Sequence, residues 1–405
     1  MAMNEALTVI SENWGAVLRA AGLLVCLPIA SWALWISLSR VWRSCADAAL
    51  VRKGQAAFDL PSRDMPPDSE ASVHIDTVLD EAWRAGDWVR VGQLLREIER
   101  VPFDVGYAIM GHDYAADHLI EAILDAGAAL PGAPQRDDFS VLSAKVDRFR
   151  QIALTNPHVP MLTTLLCHAL TRAAWIAHGQ VYGRMPTHDG MALFHKWSAE
   201  AEGLIKDTGR DPGQSALMAQ AWYHCALALD DESASAQLRH RWKCVERADP
   251  LNLALWEEHA HHMLPGWYGS LAEVGAVADR AVDATKAAYG SAIYARIMLA
   301  VRPCLGLADV PGYSAARFDR AIEDDIAHAG GQPQANAYAL WFWSNGPRRD
   351  TVRIFREHLS EVYLDMWPAG EARDALHAAF AKAFGGKPSG RGRARTAAGR
   401  KGHPA

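Results

Sequence analysis

Glu257-Glu258-His259-Ala260-His261-His262 is the densest run of chemistry-bearing side chains in this 405-residue chain. Residues four apart share a helix face, which sets Glu257 beside His261 and Glu258 beside His262, with His259 three positions from His262. Imidazole and carboxylate on one face can ligate a metal. The zinc-protease pattern instead needs two histidines four apart with the glutamate between them, and this run does not have it. Histidines beside glutamates on an exposed helix are expected to form ordinary ion pairs. No metal ligand, cofactor site or catalytic residue is assigned, and Glu257, Glu258, His261 and His262 stand as a candidate surface for a partner.

Other catalytic templates fail on spacing. Gly385-Gly386-Lys387-Pro388 lacks the length and the Ser/Thr of a phosphate loop, and Gly312-Tyr313-Ser314-Ala315-Ala316 misses the second glycine of a nucleophile elbow. The six cysteines are scattered with none in CxxC spacing, which is neither a disulfide framework nor a zinc ribbon. The expectation is a protein that is not an enzyme.

The elements that carry these residues read as helices. Ala, Leu, Glu, Arg and Trp recur at spacings of three and four from about Ser69 to Phe384, and no Val/Ile/Thr run alternates with period two for long. Asp87 is a candidate N-cap for the helix that follows it. Residues 214–250 read as helix, turn, helix and end at Asp249-Pro250, as in the second helix of a tetratricopeptide repeat. The next forty residues repeat that plan. The expected fold is all-α, an α-solenoid of stacked helical hairpins over 70–384.

At Leu264-Pro265-Gly266-Trp267-Tyr268-Gly269-Ser270 the chain resembles the Leu-Pro-Arg-Trp-Gly-Gly-Ser turn of a family of uncharacterised bacterial tetratricopeptide-like proteins. Gly266 stands where that family has a basic residue and Tyr268 where it has glycine. The resemblance spans roughly residues 75–300 and implies a helical-repeat fold and no particular activity. Read physically, Pro265 ends one helix, Gly266 and Gly269 permit unusual φ, Ser270 caps the next helix, and Trp267 is expected to fill the hairpin's inner corner as a structural wedge.

Ahead of the helical body, Ala20 to Ser39 runs without a charge and would span about 30 Å as a helix, the thickness of a bilayer core. A single transmembrane helix over 20–39 follows, with a short tail at 1–19 and a juxtamembrane segment and linker at 40–69, where Pro, Asp, Ser and Gly concentrate. Arg40, Arg43, Arg52 and Lys53 after the span, against Arg19 before it, place the folded domain on the cytoplasmic side of a bacterial inner membrane.

The chain is acidic overall, with a formal charge of −6, although residues 385–405 hold six basic residues and no acid. An acidic body argues against nucleic-acid binding by the folded part. The tail reads as disordered, and contact with anionic lipid is one reading of it. The function this supports is a membrane-anchored scaffold, accessory or immunity-type protein of a bacterial envelope system that binds a protein partner. Two alternatives stay open: an enzyme with an unrecognised site, and RNA or anionic-lipid binding through the basic tail.

Overall fold

A computed structural model describes residues 45–64, 69–101, 103–106, 108–124, 139–179, 187–229, 233–346, 348–367 and 369–385. The expected anchor at 20–39 and nearly all of the basic tail lie outside the described residues. Among the described residues, no helix is long and apolar enough to cross a membrane.

The chain is all-α and divides into two compact units. One comprises residues up to Met65 together with those from Ala335 onward, and the other runs from Pro66 to Gln334. The expected single repeat domain over 70–384 is therefore split within its last third.

In the first unit, α1 (45–57) leads to β1 (Ser62–Arg63), which pairs in parallel with β2 (Val362–Tyr363). The stretch expected to be a linker thus carries helix and strand up to Arg63. The reason is long-range packing that no local pattern announces. A Cβ added at Gly54 would fall 1.7 Å from the His377 carbonyl oxygen, so glycine permits the close approach of α1 to α16 (Glu371–Phe384). Phe58 packs edge-on to Phe380 with centroids 4.9 Å apart. Buried Asn336 ties the unit together, donating to Glu361 O at 3.0 Å and accepting from Trp367 Nε1 at 2.9 Å.

The second unit begins with α2 (Glu70–Ala85), α3 (Trp88–Arg100), α4 (Gly111–Leu124), α5 (Ser140–Thr155), α6 (Pro160–His178) and α7 (His188–Asp207). It continues through α8 (Ala216–Cys225), α9 (Ala234–Ala248), α10 (Leu253–His262), α11 (Leu271–Tyr289), α12 (Ala292–Val301) and α13 (Ala315–His328). The division between the units falls inside α14 (Gly331–Asn345), and α15 (Arg348–Glu357) belongs to the first unit.

Local signals set these boundaries. Ser69 and Asp87 cap α2 and α3 with side-chain oxygens, and Gly86 between them adopts a left-handed conformation that ends α2. From α2 to α9 each helix packs on its successor, and α2, α4, α6 and α8 also pack on one another in turn; α10 to α13 do the same. α6 is buried on nearly every face, and α3, α4, α5, α7 and α8 all pack against it.

Candidate functional site

Four helices of the second unit, α4, α6, α8 and α10, line a cavity of about 640 Å³. α4 contributes Asp113 and Asp117, α6 contributes His168, Arg172 and Trp175, and α8 contributes Gln220 and His224. Asn252, Glu258 and His262 come from the start and the last turns of α10. Trp267, in the turn after α10, forms part of the rim and is 46% exposed.

The opposite lip is Ala108-Ile109-Met110. Ala108 has φ +62°, the one non-glycine residue with positive φ among those described. The Asp104 carboxylate accepts from Gly106 N at 2.6 Å and from Ala108 N at 2.9 Å, which holds this loop in place. A left-handed alanine costs of order 1 kcal/mol, and such strain concentrates at functional sites.

Burial and facing charges set the protonation of the lining. Desolvation works to raise Glu258, but His224 Nε2, 2.9 Å from Oε1, outweighs it together with His262 and His261, and the carboxyl is held at about 2. His224 is raised: burial opposes its charge, and the Glu258 carboxylate more than compensates. Burial lowers both His168 and His262 to about 4, leaving them neutral imidazoles at neutral pH. His168 Nε2 donates to Leu217 O at 2.6 Å, which leaves Nδ1 unprotonated. Burial raises Asp117, with the Arg172 charge opposing.

Asp113 is pushed up to about 6, chiefly by burial, with His112 opposing and Asp249 adding to the shift. The folded state therefore holds this proton more tightly than the unfolded chain. The resulting stabilisation is complete below the ordinary value of 3.8 and is lost as pH rises through about 6. Asp113→Asn should consequently gain melting temperature relative to the parent as pH is raised from about 4 to about 7. A melting difference that stays constant across that range would contradict the burial argument.

Behind the cavity wall His112, Asp113 and Asp249 place ligand-type atoms within 4.8 Å of one another. His112 Nε2 lies 2.8 Å from Asp249 Oδ2 and 3.6 Å from Asp113 Oδ1. Asn252 Nδ2 donates to Asp249 Oδ2 at 2.7 Å and also to Asp113. His112 Nδ1 is buried without a partner. A metal on Nε2 would force the ring proton onto that orphaned nitrogen, whereas metal-binding histidines donate their second N–H to an acceptor. The chemistry of the trio suits a hydrogen-bonded clasp between α4 and the start of α10.

The structure places the sequence-predicted residues differently from expectation. The histidine-rich helix turns inward: Tyr223 Oη lies 3.0 Å from His259 Nδ1 and 2.8 Å from His262 Nδ1, and His259 stacks on Trp242 at 4.0 Å. His262 is only 8% accessible and so is no exposed partner surface. Glu258 is 37% accessible because solvent enters the cavity, yet protein groups surround it. Glu257 is 31% accessible and lies 3.8 Å from Arg296, where burial raises it to about 7. Of the expected pairs, Glu258 and His262 do meet, at 4.0 Å.

Trp267 is not the inner wedge of its turn; it makes edge contact with His261 at 5.4 Å and stands at the cavity rim. Tyr268 takes the inner role, with its hydroxyl donating to Leu227 O at 2.9 Å. Gly269 abuts the Met263 carbonyl, Pro265 is exposed in the turn, and Ser270 caps α11 by accepting from Glu273 N at 3.3 Å. Sequence reasoning missed Asp113, Asp117, His168, Arg172 and His224. Their only local signal is spacing within their own helices, and what joins them is contact between helices far apart in sequence.

No family model, curated protein or solved structure matches the chain.

Proposed function

We propose that this protein is a membrane-tethered α-solenoid of tetratricopeptide-like hairpins that binds a protein partner over the cavity face of its second unit. The observation that carries the reading is that cavity, ringed by two exposed apolar side chains, Ile109 and Trp267, over a polar floor. Large exposed apolar groups beside a polar concavity are the pattern of a recognition site. The packing of successive helices over α2–α9 and over α10–α13, with α2, α4, α6 and α8 also stacked in turn, supports the solenoid, and solenoids offer concave binding surfaces. Tethering rests on the uncharged run at 20–39, and the basic flank after it favours a cytoplasmic domain at a bacterial inner membrane.

Site-specific photocrosslinking in cells tests the binding reading. A photoreactive side chain at Ile109 should trap one discrete partner, and the same group at Leu154, which is exposed and lies outside this cavity's lining, should not. Equal trapping at both positions, or none at Ile109, would sink it. For the tether, the full chain should resist alkaline carbonate extraction and a C-terminal green fluorescent fusion should be bright. A chain found in the supernatant would remove the anchor from this proposal.

One observation favours a second reading, an enzyme. Asp113 and Glu258 line one cavity with their carboxyls pushed to about 6 and about 2, the divergence that general acid and electrostatic partner show in carboxylate-based hydrolases. A crosslinked partner recovered with a bond cleaved by the parent and intact with Asp113→Asn would favour it over simple binding.

A further inference from the structure

We infer that the cavity receives a basic side chain, a guanidinium or ammonium on an apolar stem, projecting from the bound partner. This rests on the partner-binding reading and specifies its chemistry. Three carboxylates line the cavity, Asp113, Asp117 and Glu258, against one permanent cation, Arg172, and one histidine, His224, that Glu258 already engages. The other two lining histidines, His168 and His262, are buried. Negative charge therefore stays in excess even with His224 protonated.

Two of the three carboxylates have an oxygen free to accept a further donor. Asp113 Oδ1 is buried with no hydrogen-bond partner. Asp117 makes no hydrogen bond or ion pair among the described residues, and Arg172 acts on it only through charge at longer range. The unsatisfied buried Oδ1 of Asp113 is costly, and a cationic donor brought by a ligand relieves that cost, while Asp117 is exposed to the cavity and can meet such a donor directly.

The rim adds a second, independent preference. Trp175 and Trp267 line the same cavity, and Trp267 is half exposed, so an indole face is available to a cation. Ile109 on the opposite lip is 46% exposed, and its loop is held by Asp104 with Ala108 in a left-handed conformation. An aliphatic stem between Ile109 and Trp267 would cover both apolar groups while its charged end reaches Asp117 and Asp113. A carboxylate or a purely apolar side chain would leave these acceptors unpaired.

The test uses full-length protein and four capped peptides, acetyl-Gly-Ala-X-Ala-Gly-amide, with X as Arg, Lys, norleucine or Glu, titrated by calorimetry. The Arg or Lys peptide should bind at least about tenfold more tightly than the norleucine peptide, and the Glu peptide should be weakest. The order of Arg and Lys separates guanidinium from ammonium. Asp117→Asn and Trp267→Ala should each weaken the basic peptide's binding about tenfold while leaving the circular dichroism spectrum unchanged.

Lowering pH through about 6 should also weaken it. Asp113 then gains its proton; the other groups around it are His112 and Asp117 on α4, Asp249 and Asn252 before α10, Glu258 on α10, His224 on α8 and Arg172 on α6. Preference for norleucine or Glu, no binding by any peptide, or binding indifferent to Asp117→Asn and Trp267→Ala would each overturn the inference. The outcome at Ile109 in the crosslinking experiment is separate: a partner trapped there through a segment without Lys or Arg would sink this inference and leave partner binding standing.

Discussion

Trp242→Ala should destabilise the second unit by about 3–5 kcal/mol, while Trp267→Ala should change its stability by no more than about 0.5 kcal/mol. The two tryptophans sit on α9 and in the turn after α10, and their surroundings are opposite. Trp242 is 2% exposed, stacks on His259 at 4.0 Å with the planes 6° apart, and meets Trp256 at 4.8 Å and Tyr223 at 5.5 Å. Removing the indole would empty the point where α8, α9 and α10 meet. It would also leave His259 without the ring that covers it, loosening the Tyr223 hydrogen bonds to His259 and His262. Trp267 loses ring contacts with His261 and His262 at a rim that water already reaches. Denaturant unfolding of both variants measures the difference. A large loss for Trp267→Ala would restore it as the wedge of its turn.

Asp325→Ala should cost about 3–5 kcal/mol, the range for stranding one member of a buried ion pair. Asp325 on α13 is fully buried and accepts from Arg296 Nε on α12 at 3.0 Å, with Arg296 itself 13% accessible. Glu257 also lies near that guanidinium, 3.8 Å away. Burial is the main reason Glu257 rises to about 7, and the Asp325 charge contributes to that rise. Deleting Asp325 should therefore also move Glu257 downward, visible as a carboxyl resonance titrating at lower pH. The paired change Arg296→Met with Asp325→Leu should recover part of the stability, because neither member of the buried pair is then stranded, while Glu257 loses the Arg296 charge and moves further up. A loss below about 1 kcal/mol in the single variant would show that water reaches Arg296 and that the pair is not sealed.

By itself the sequence determined the secondary structure of the body, because caps and helical periodicity are local. Ser69, Asp87, Ser270 and Gly86 start or stop helices through bonds to residues within four positions, so reading a few neighbours suffices. α5 (Ser140–Thr155) falls in the stretch read as helical from its spacing, and α10 followed by α11 follows the expected helix-turn-helix plan. The i, i+4 meeting of Glu258 and His262 was legible for the same reason.

Tertiary structure alone decided which way those faces point. Leu253, Trp256 and Ala260 mark an inner side on the helix that carries Glu257–His262, but nothing local says that histidines share it; Tyr223 and Trp242 from α8 and α9 draw His259 and His262 into the core. The cavity depends on residues such as His112 and Asp249, 137 positions apart, brought together by helix packing. The segment at 54–63 likewise shows no apolar period, and it is ordered by a glycine-sized approach to His377 and a two-residue strand paired with Val362 and Tyr363. Pairings of that kind carry no signature in either partner's own neighbourhood, since what selects them is the burial gained when distant surfaces meet.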